Sequence, residues 1–246
     1  MQHAALEIER GLALTCARLF GEASPLLSIG RFRLLRSLGR GGNGCVYEAL
    51  DPRRQQRVAL KVLHSRGARE LERDFRALAE LKHPNLVALH ELHVAPTILY
   101  YTMELVEGED FLGYSTHCRS ETLVDALLQL SRGVQALHSA GRLHRDLKPD
   151  NVLATPRGDI RLIDLDLSSA GTPGYMSPEQ REGHARQSSD WYSVGALLDA
   201  VLRARRAAGQ PYPSELDLLA AQLKAVRPSL RPTYRQLIAV LGGAGG

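Results

Sequence analysis

The stretch His144-Arg145-Asp146-Leu147-Lys148-Pro149-Asp150-Asn151 decides how this chain is read. It places a carboxylate (Asp146), an ammonium (Lys148) and a carboxamide (Asn151) in one short loop. Moving a phosphoryl group onto a hydroxyl asks for these three types. A carboxylate accepts or orients the hydroxyl proton, a cation offsets charge on the moving group, and oxygen atoms ligate Mg²⁺.

Working upstream, two further motifs point at phosphate. Gly39-Arg40-Gly41-Gly42-Asn43-Gly44-Cys45-Val46 lies between two expected strands. Glycines let backbone N–H groups approach phosphate because no Cβ stands in the way. Taken alone the pattern is weak, since a plain hairpin turn or a dinucleotide site carries it too. The dinucleotide reading wants a helix next, whereas Cys45-Val46-Tyr47-Glu48-Ala49-Leu50 followed by Asp51-Pro52 reads as a strand. In Val58-Ala59-Leu60-Lys61-Val62-Leu63, alternation sets Ala59, Lys61 and Leu63 on one face. A lysine on an apolar face needs anions nearby, unless it snorkels at an edge. Lysine is rare here. The 31 basic residues include it only at positions 61, 82, 148 and 224. Two of those four fall in these motifs, where a compact ammonium serves phosphate as a planar fork would not.

The rest of the chain has ordinary globular chemistry. Its 246 residues are 44% hydrophobic and 24% charged, enough for one sizeable core or two modest ones. Three scattered cysteines, Cys16, Cys45 and Cys118, contain no CxxC pair and suit reduced thiols rather than zinc. Cys45, beside the glycines, reads first as a tolerated small residue and only second as a reactive thiol. The net charge is +4, but no dense basic run is interleaved with aromatics, so no nucleic-acid partner is expected. No apolar run approaches the roughly 20 residues that span a bilayer. Glu7 and Glu9 stand where a leader would be basic. The expectation is a cytoplasmic protein with no membrane partner.

Ile8, Leu12, Cys16 and Leu19 recur at helical spacing, so residues 1–30 read as a helical extension that caps a neighbouring surface. Three strands are expected over 31–63, then a helix with Leu71, Phe75 and Leu78 on one face, stopped by His83-Pro84-Asn85. Two more strands follow near 86–91 and 97–103. Beyond Glu104 the period becomes helical: Leu123, Leu127, Leu130, Val134 and Leu137 form one stripe, and Trp191, Val194, Leu198 and Val201 another. Two shorter helices are expected near 214–226 and 232–241, with Gly242–Gly246 fraying.

In this order, over about residues 31–241, the motifs resemble the protein kinase family, and in particular the eukaryotic-like serine/threonine kinases that bacteria also carry. The resemblance implies an α+β, bilobal fold. Its N-lobe (31–103) would be a small five-stranded antiparallel sheet with one helix, its hinge 104–108 and its mainly helical C-lobe 109–241. It implies ATP, with Mg²⁺ or Mn²⁺, as cofactors and a Ser- or Thr-bearing protein as substrate. By the same likeness Asp146 is the catalytic base, Lys148 its partner, and Thr172 is placed to bond both. Asn151 and Asp164 are the metal ligands. Lys61 contacts phosphates and Asp74 is its helix partner. Leu38, Gly39, Gly41, Gly44, Val46, Ala59 and Leu153 surround the nucleotide. Met103 is the gatekeeper, Glu104 and Val106 offer backbone groups to adenine, and Asp110 is the ribose candidate. Glu179 should pair with Arg231, and Asp190 should hold the catalytic loop backbone.

Three departures from the pattern stand out. Asp74 replaces the usual glutamate, one methylene shorter. Asp164-Leu165-Asp166 replaces Asp-Phe-Gly, so Asp166 stands where the backbone is usually freest. Only fourteen residues separate Asp164 from Glu179, leaving Ser168 and Ser169 as spare hydroxyls, so little dependence on their phosphorylation is expected. These departures keep open an alternative, a catalytically impaired relative acting as an ATP-binding or scaffold module. A small-molecule kinase is a remoter one, disfavoured by Lys148 and by Gly171-Thr172-Pro173-Gly174-Tyr175 leading to Pro178-Glu179.

Overall fold

The computed structural model describes residues 28–41, 44–63, 68–95, 98–165 and 171–244. The expected helix on Ile8, Leu12, Cys16 and Leu19 lies outside them, as do Asp166, Ser168 and Ser169. Two compact units divide the chain. One takes the described residues up to Ala79 together with Ala88–Leu105, and the other takes Glu80–Val87 and everything from Val106.

The first unit is a six-stranded sheet and one helix. Strands β1 (Ser28–Ile29), β2 (Phe32–Gly41), β3 (Gly44–Asp51), β4 (Gln56–Leu63), β5 (Leu89–Val94) and β6 (Leu99–Glu104) run in the order β1-β2-β3-β4-β6-β5, all antiparallel. The expected five strands become six because two residues assigned to the N-terminal extension, Ser28 and Ile29, add an edge strand. Helix α1 (Ala68–Glu80) buries Leu71, Phe75 and Leu78, as its spacing predicts. One sheet face carries the apolar cluster of Phe32, Leu34, Cys45, Tyr47, Ala49, Val58, Leu60, Val62 and Tyr100. At the edge, Arg31 reaches both Asp51 and Glu91. That guanidinium, with the Arg53 backbone N–H and against the opposing pull of burial, holds the Asp51 carboxyl at about 2.

The second unit is mainly helical. It contains α2 (Phe111–His117), α3 (Ser120–Ser139), α4 (Pro178–Arg181), α5 (Gln187–Ala207), α6 (Glu215–Leu223) and α7 (Tyr234–Ala244). The α3 stripe Leu123, Leu127, Leu130, Val134 and Leu137 is buried throughout, each side chain contributing about 2 kcal/mol of burial. Asn85 explains why 80–87 joins this unit. Its amide donates to Gln129 Oε1 on α3 (3.1 Å) and to the Ile160 carbonyl (2.9 Å), and its own carbonyl accepts from Leu162 N (2.9 Å). A second sheet, β7 (Glu109–Asp110), β8 (Val152–Ala154) and β9 (Ile160–Leu162), pairs antiparallel in that order. Fully buried Arg205 of α5 donates to the Ser115 (2.6 Å) and Cys118 (2.9 Å) carbonyls at the end of α2. Helix α7 runs through Gly242 and Gly243 to Ala244. No helix among the described residues is long and apolar enough to cross a membrane.

Candidate active site

Each unit carries candidate residues of its own, built by its own scaffold. In the first unit, register brings distant residues into rows. Gly39, Val46, Lys61 and Tyr101 stand in one row across β2, β3, β4 and β6, and Arg36, Glu48, Ala59 and Met103 in the next but one. Rows two residues apart share a face, so Val46, Ala59, Lys61 and Met103 line one side of the sheet. Phe75 of α1 packs on Tyr101, with ring centroids 5.8 Å apart, which sets the helix bearing Asp74 on that same face. Lys61 is only 5% exposed there, and a buried ammonium demands anions. Cys45 faces the other way, into the apolar cluster, which supports its structural reading and removes it from this face. Leu38 falls at a register irregularity just before Gly39. Gly44 has φ +146°, and a Cβ there would land on the Val62 carbonyl, so only glycine closes this hairpin without strain. Gly41 pairs with Gly44 across it. Glu104 donates its N–H to the Ala88 carbonyl (2.8 Å).

In the second unit the deciding loop surrounds Asp146. Thr172 Oγ1 donates to Asp146 Oδ1 (2.7 Å). Asn151 Nδ2 donates to Asp146 Oδ2 (3.1 Å) and to its backbone carbonyl (2.8 Å). Lys148 Nζ stands 3.7 Å from Asp146 Oδ2. Below the loop, buried Asp190 at the start of α5 accepts from His144 N (2.9 Å), Arg145 N (2.8 Å) and the His138 ring (2.8 Å). Glu179 pairs with Arg231 through two bonds, 2.6 and 2.9 Å, and accepts from Ser189 Oγ (2.7 Å). Burial alone would raise the Glu179 pKa, but those hydrogen bonds prevail and hold it at about 2. Asp110 has a local duty as well. Its Oδ1 caps α2, accepting from Leu112 N and Gly113 N at 3.0 Å each, which leaves one carboxylate oxygen for a ribose. Leu153 sits on β8 opposite Asp110, and Val106 opens the second unit.

The metal question turns on donor chemistry. Asn151 commits its amide hydrogens to Asp146, so its Oδ1 is the atom left to ligate. Asp164, four residues after Ile160 opens β9, is held at φ +55°, a left-handed backbone that costs a non-glycine residue about 1 kcal/mol or more. Among the described residues no group of three or more His, Cys, Asp or Glu could hold a metal by itself. Two oxygen ligands fit Mg²⁺ that arrives with phosphates, because that ion is usually bound through one or two carboxylates plus substrate oxygens.

Sequence reasoning placed Gly171 only as part of a motif and did not single out Gln180, His138 or Glu48. The Glu48 carboxylate, buried on the Lys61 face, accepts from Arg36 (2.7 Å) and Arg57 (3.0 Å). A Glu flanked by two Arg at strand-pairing distance is the signal that would have found it. Gln180 and His138 carry no local signal, since their partners are far away in sequence.

A sheet with one packed helix, a mainly helical unit and this carboxylate loop are the elements of the protein kinase fold. Residues 32–229 match the protein kinase domain family, and the chain belongs to that family. It is 34% identical over 247 residues to the serine/threonine-protein kinase PknA of Mycobacterium tuberculosis, an alignment covering 86% of this chain and 56% of that protein. It is 32% identical over 245 residues to the serine/threonine-protein kinase Pkn1 of Myxococcus xanthus, covering 88% and 34%. The chain thus spans about half or less of the length of these relatives. A solved structure of Rad53 1–466 in complex with AMP-PNP shares the fold, with a TM-score of 0.74, 22% identity, and 85% of this chain and 64% of that one covered. The family implies use of ATP and a divalent metal.

Proposed function

We propose that the chain transfers the γ-phosphoryl of ATP to serine or threonine hydroxyls of a protein substrate. One observation carries this reading: the Asp146 carboxylate is met at once by Thr172, Asn151 and Lys148. Asp146 would take or orient the hydroxyl proton, and Lys148 would offset charge on the moving phosphoryl. Lys61, with Asp74 as its partner, would bind phosphates that the Gly39–Gly44 hairpin covers. Leu38, Val46, Ala59, Met103 and Leu153 would surround the base, Glu104 and Val106 would offer it backbone groups, and Asp110 would hold the ribose. Asn151 and Asp164 would hold Mg²⁺ or Mn²⁺, which when bound neutralises phosphate charge. The likeness to PknA and Pkn1 favours serine or threonine.

The test is incubation of the full chain with labelled ATP and a generic protein substrate, in Mg²⁺ and in Mn²⁺, beside Asp146→Asn. Label transfer by the wild type, lost in the variant, is the expected result. Equal label in both, or none in either, would sink the catalytic reading.

A further inference from the structure

The turn that presents Asp146 is strained and heavily tethered. Arg145 sits at φ +61°, a left-handed backbone that a side chain adopts at a cost. Such a conformation persists only where its surroundings over-determine it. The tethers around it are specific. Asp190 takes the His144 and Arg145 N–H groups, the Asp146 N–H bonds the His144 carbonyl (2.8 Å), and Asn151 takes the Asp146 carbonyl. The remaining oxygen of the turn, the Arg145 carbonyl, accepts from Gln180 Nε2 at 2.6 Å.

Gln180 comes from a firmly seated element. It lies on α4, whose first turn is capped by Ser177 and whose Glu179 is locked to Arg231. The side chain is buried, and its Oε1 has no partner among the described residues. An idle buried acceptor costs stability, so an apolar residue of the same size would serve packing better. The amide donor is therefore what this position uses.

Gly171 gives the contact its room. A Cβ there would stand 2.7 Å from the Arg145 carbonyl oxygen, 2.7 Å from Gln180 Nε2 and 2.8 Å from Met176 Cγ. Gly171 is not among the positive-φ glycines, so space rather than backbone freedom asks for glycine. Its neighbour Thr172 bonds Asp146 itself. Adjacent residues 171 and 172 thus dock on adjacent residues 145 and 146.

We propose that Gln180 is a positioning residue of the catalytic loop, holding the Arg145 carbonyl in the strained turn that aims Asp146, in space that Gly171 leaves open. The proposal rests on the reading of Asp146 as the base. It is tested with the full chain carrying Gln180→Met, near in shape but lacking the donor. Loss of one such bond should lower kcat about tenfold while KM for ATP stays within about twofold. The melting temperature should change by no more than a few degrees, because the Arg145 carbonyl loses its donor while the idle Oε1 acceptor is removed with it. Amide hydrogen exchange should quicken at residues 144–147 and not along α5. Gly171→Ala, which crowds the contact from the other side, should quicken the same amides. Unchanged kcat in Gln180→Met, or unchanged exchange at 144–147 in both variants, would overturn the proposal. So would a kcat loss accompanied by a larger fall in melting temperature and faster exchange throughout the unit. A wild type without label transfer would instead defeat the kinase reading, and exchange at 144–147 would still decide the role of Gln180.

Discussion

One hydroxyl reaches the Asp146 carboxylate directly. Thr172 Oγ1 donates to Oδ1 at 2.7 Å, while Asn151 and Lys148 address the other oxygen. Thr172→Val keeps the shape and removes the donor. A hydrogen bond to a charged group contributes about 1.5–3 kcal/mol, so kcat should fall roughly tenfold to a hundredfold with KM for ATP little changed. Thr172→Ser should retain most of the activity. Steady-state kinetics on the three proteins decides this, and a wild-type kcat in Thr172→Val would show that Asp146 needs no such partner. Much of this residue-level chemistry was legible in the sequence, because Asp146, Lys148 and Asn151 are neighbours and their spacing sets their meeting. Gln180 was not, because residues 145, 171 and 180 meet only once three segments are folded together.

At the scale of elements, legibility follows length and period. Helices α1 and α3 are long and keep one apolar face, so their spacing announces them. Helix α2 is seven residues with a glycine and only Phe111 and Ser115 buried, too little for a period to show. Strand β1 has two residues and β8 three, so neither displays alternation, and β8 passes as part of a loop. Two elements make separate predictions. In the β2–β3 hairpin, Gly44→Ala forces a Cβ onto the Val62 carbonyl at a positive φ, and should destabilise the chain by about 2 kcal/mol or more in urea. No loss in the midpoint would mean the hairpin can be rebuilt without that conformation. Helix α4 depends on the Glu179–Arg231 pair. The Glu179 pKa is lowered from 4.5 to about 2, so its contribution is fully present above about 4.5 and is lost as pH falls towards 2. Glu179→Gln leaves Arg231 buried without its carboxylate and should cost about 3–5 kcal/mol at pH 7. The gap to wild type should narrow at pH 3. Asp51 titrates in the same range but is common to both proteins, so it cancels from the difference. A gap independent of pH would show that the pair's charge contributes nothing.

For the molecule as a whole, the candidate nucleotide residues fall in both units: Lys61 in the first, Asn151 and Asp164 in the second. A ligand that binds only the folded chain stabilises it by mass action. ATP with Mg²⁺ at a hundred times its Kd should add about 2.7 kcal/mol, or roughly 5–10 °C in melting temperature for a chain of this size. Lys61→Met and Asp164→Asn, one substitution in each unit, should each remove most of that shift. Asp146→Asn should keep it, because in the proposed reaction that carboxylate serves the acceptor hydroxyl rather than the nucleotide. This separates two readings that motifs alone leave side by side. A scaffold relative with intact nucleotide binding would show the shift in wild type and Asp146→Asn alike, with label transfer in neither. A working kinase shows the same shift in both and transfer only in the wild type. An equal shift in ATP with a chelator would remove Asn151 and Asp164 from nucleotide binding altogether. The remaining ambiguity would then rest on the first unit, where Lys61 is the group to test next.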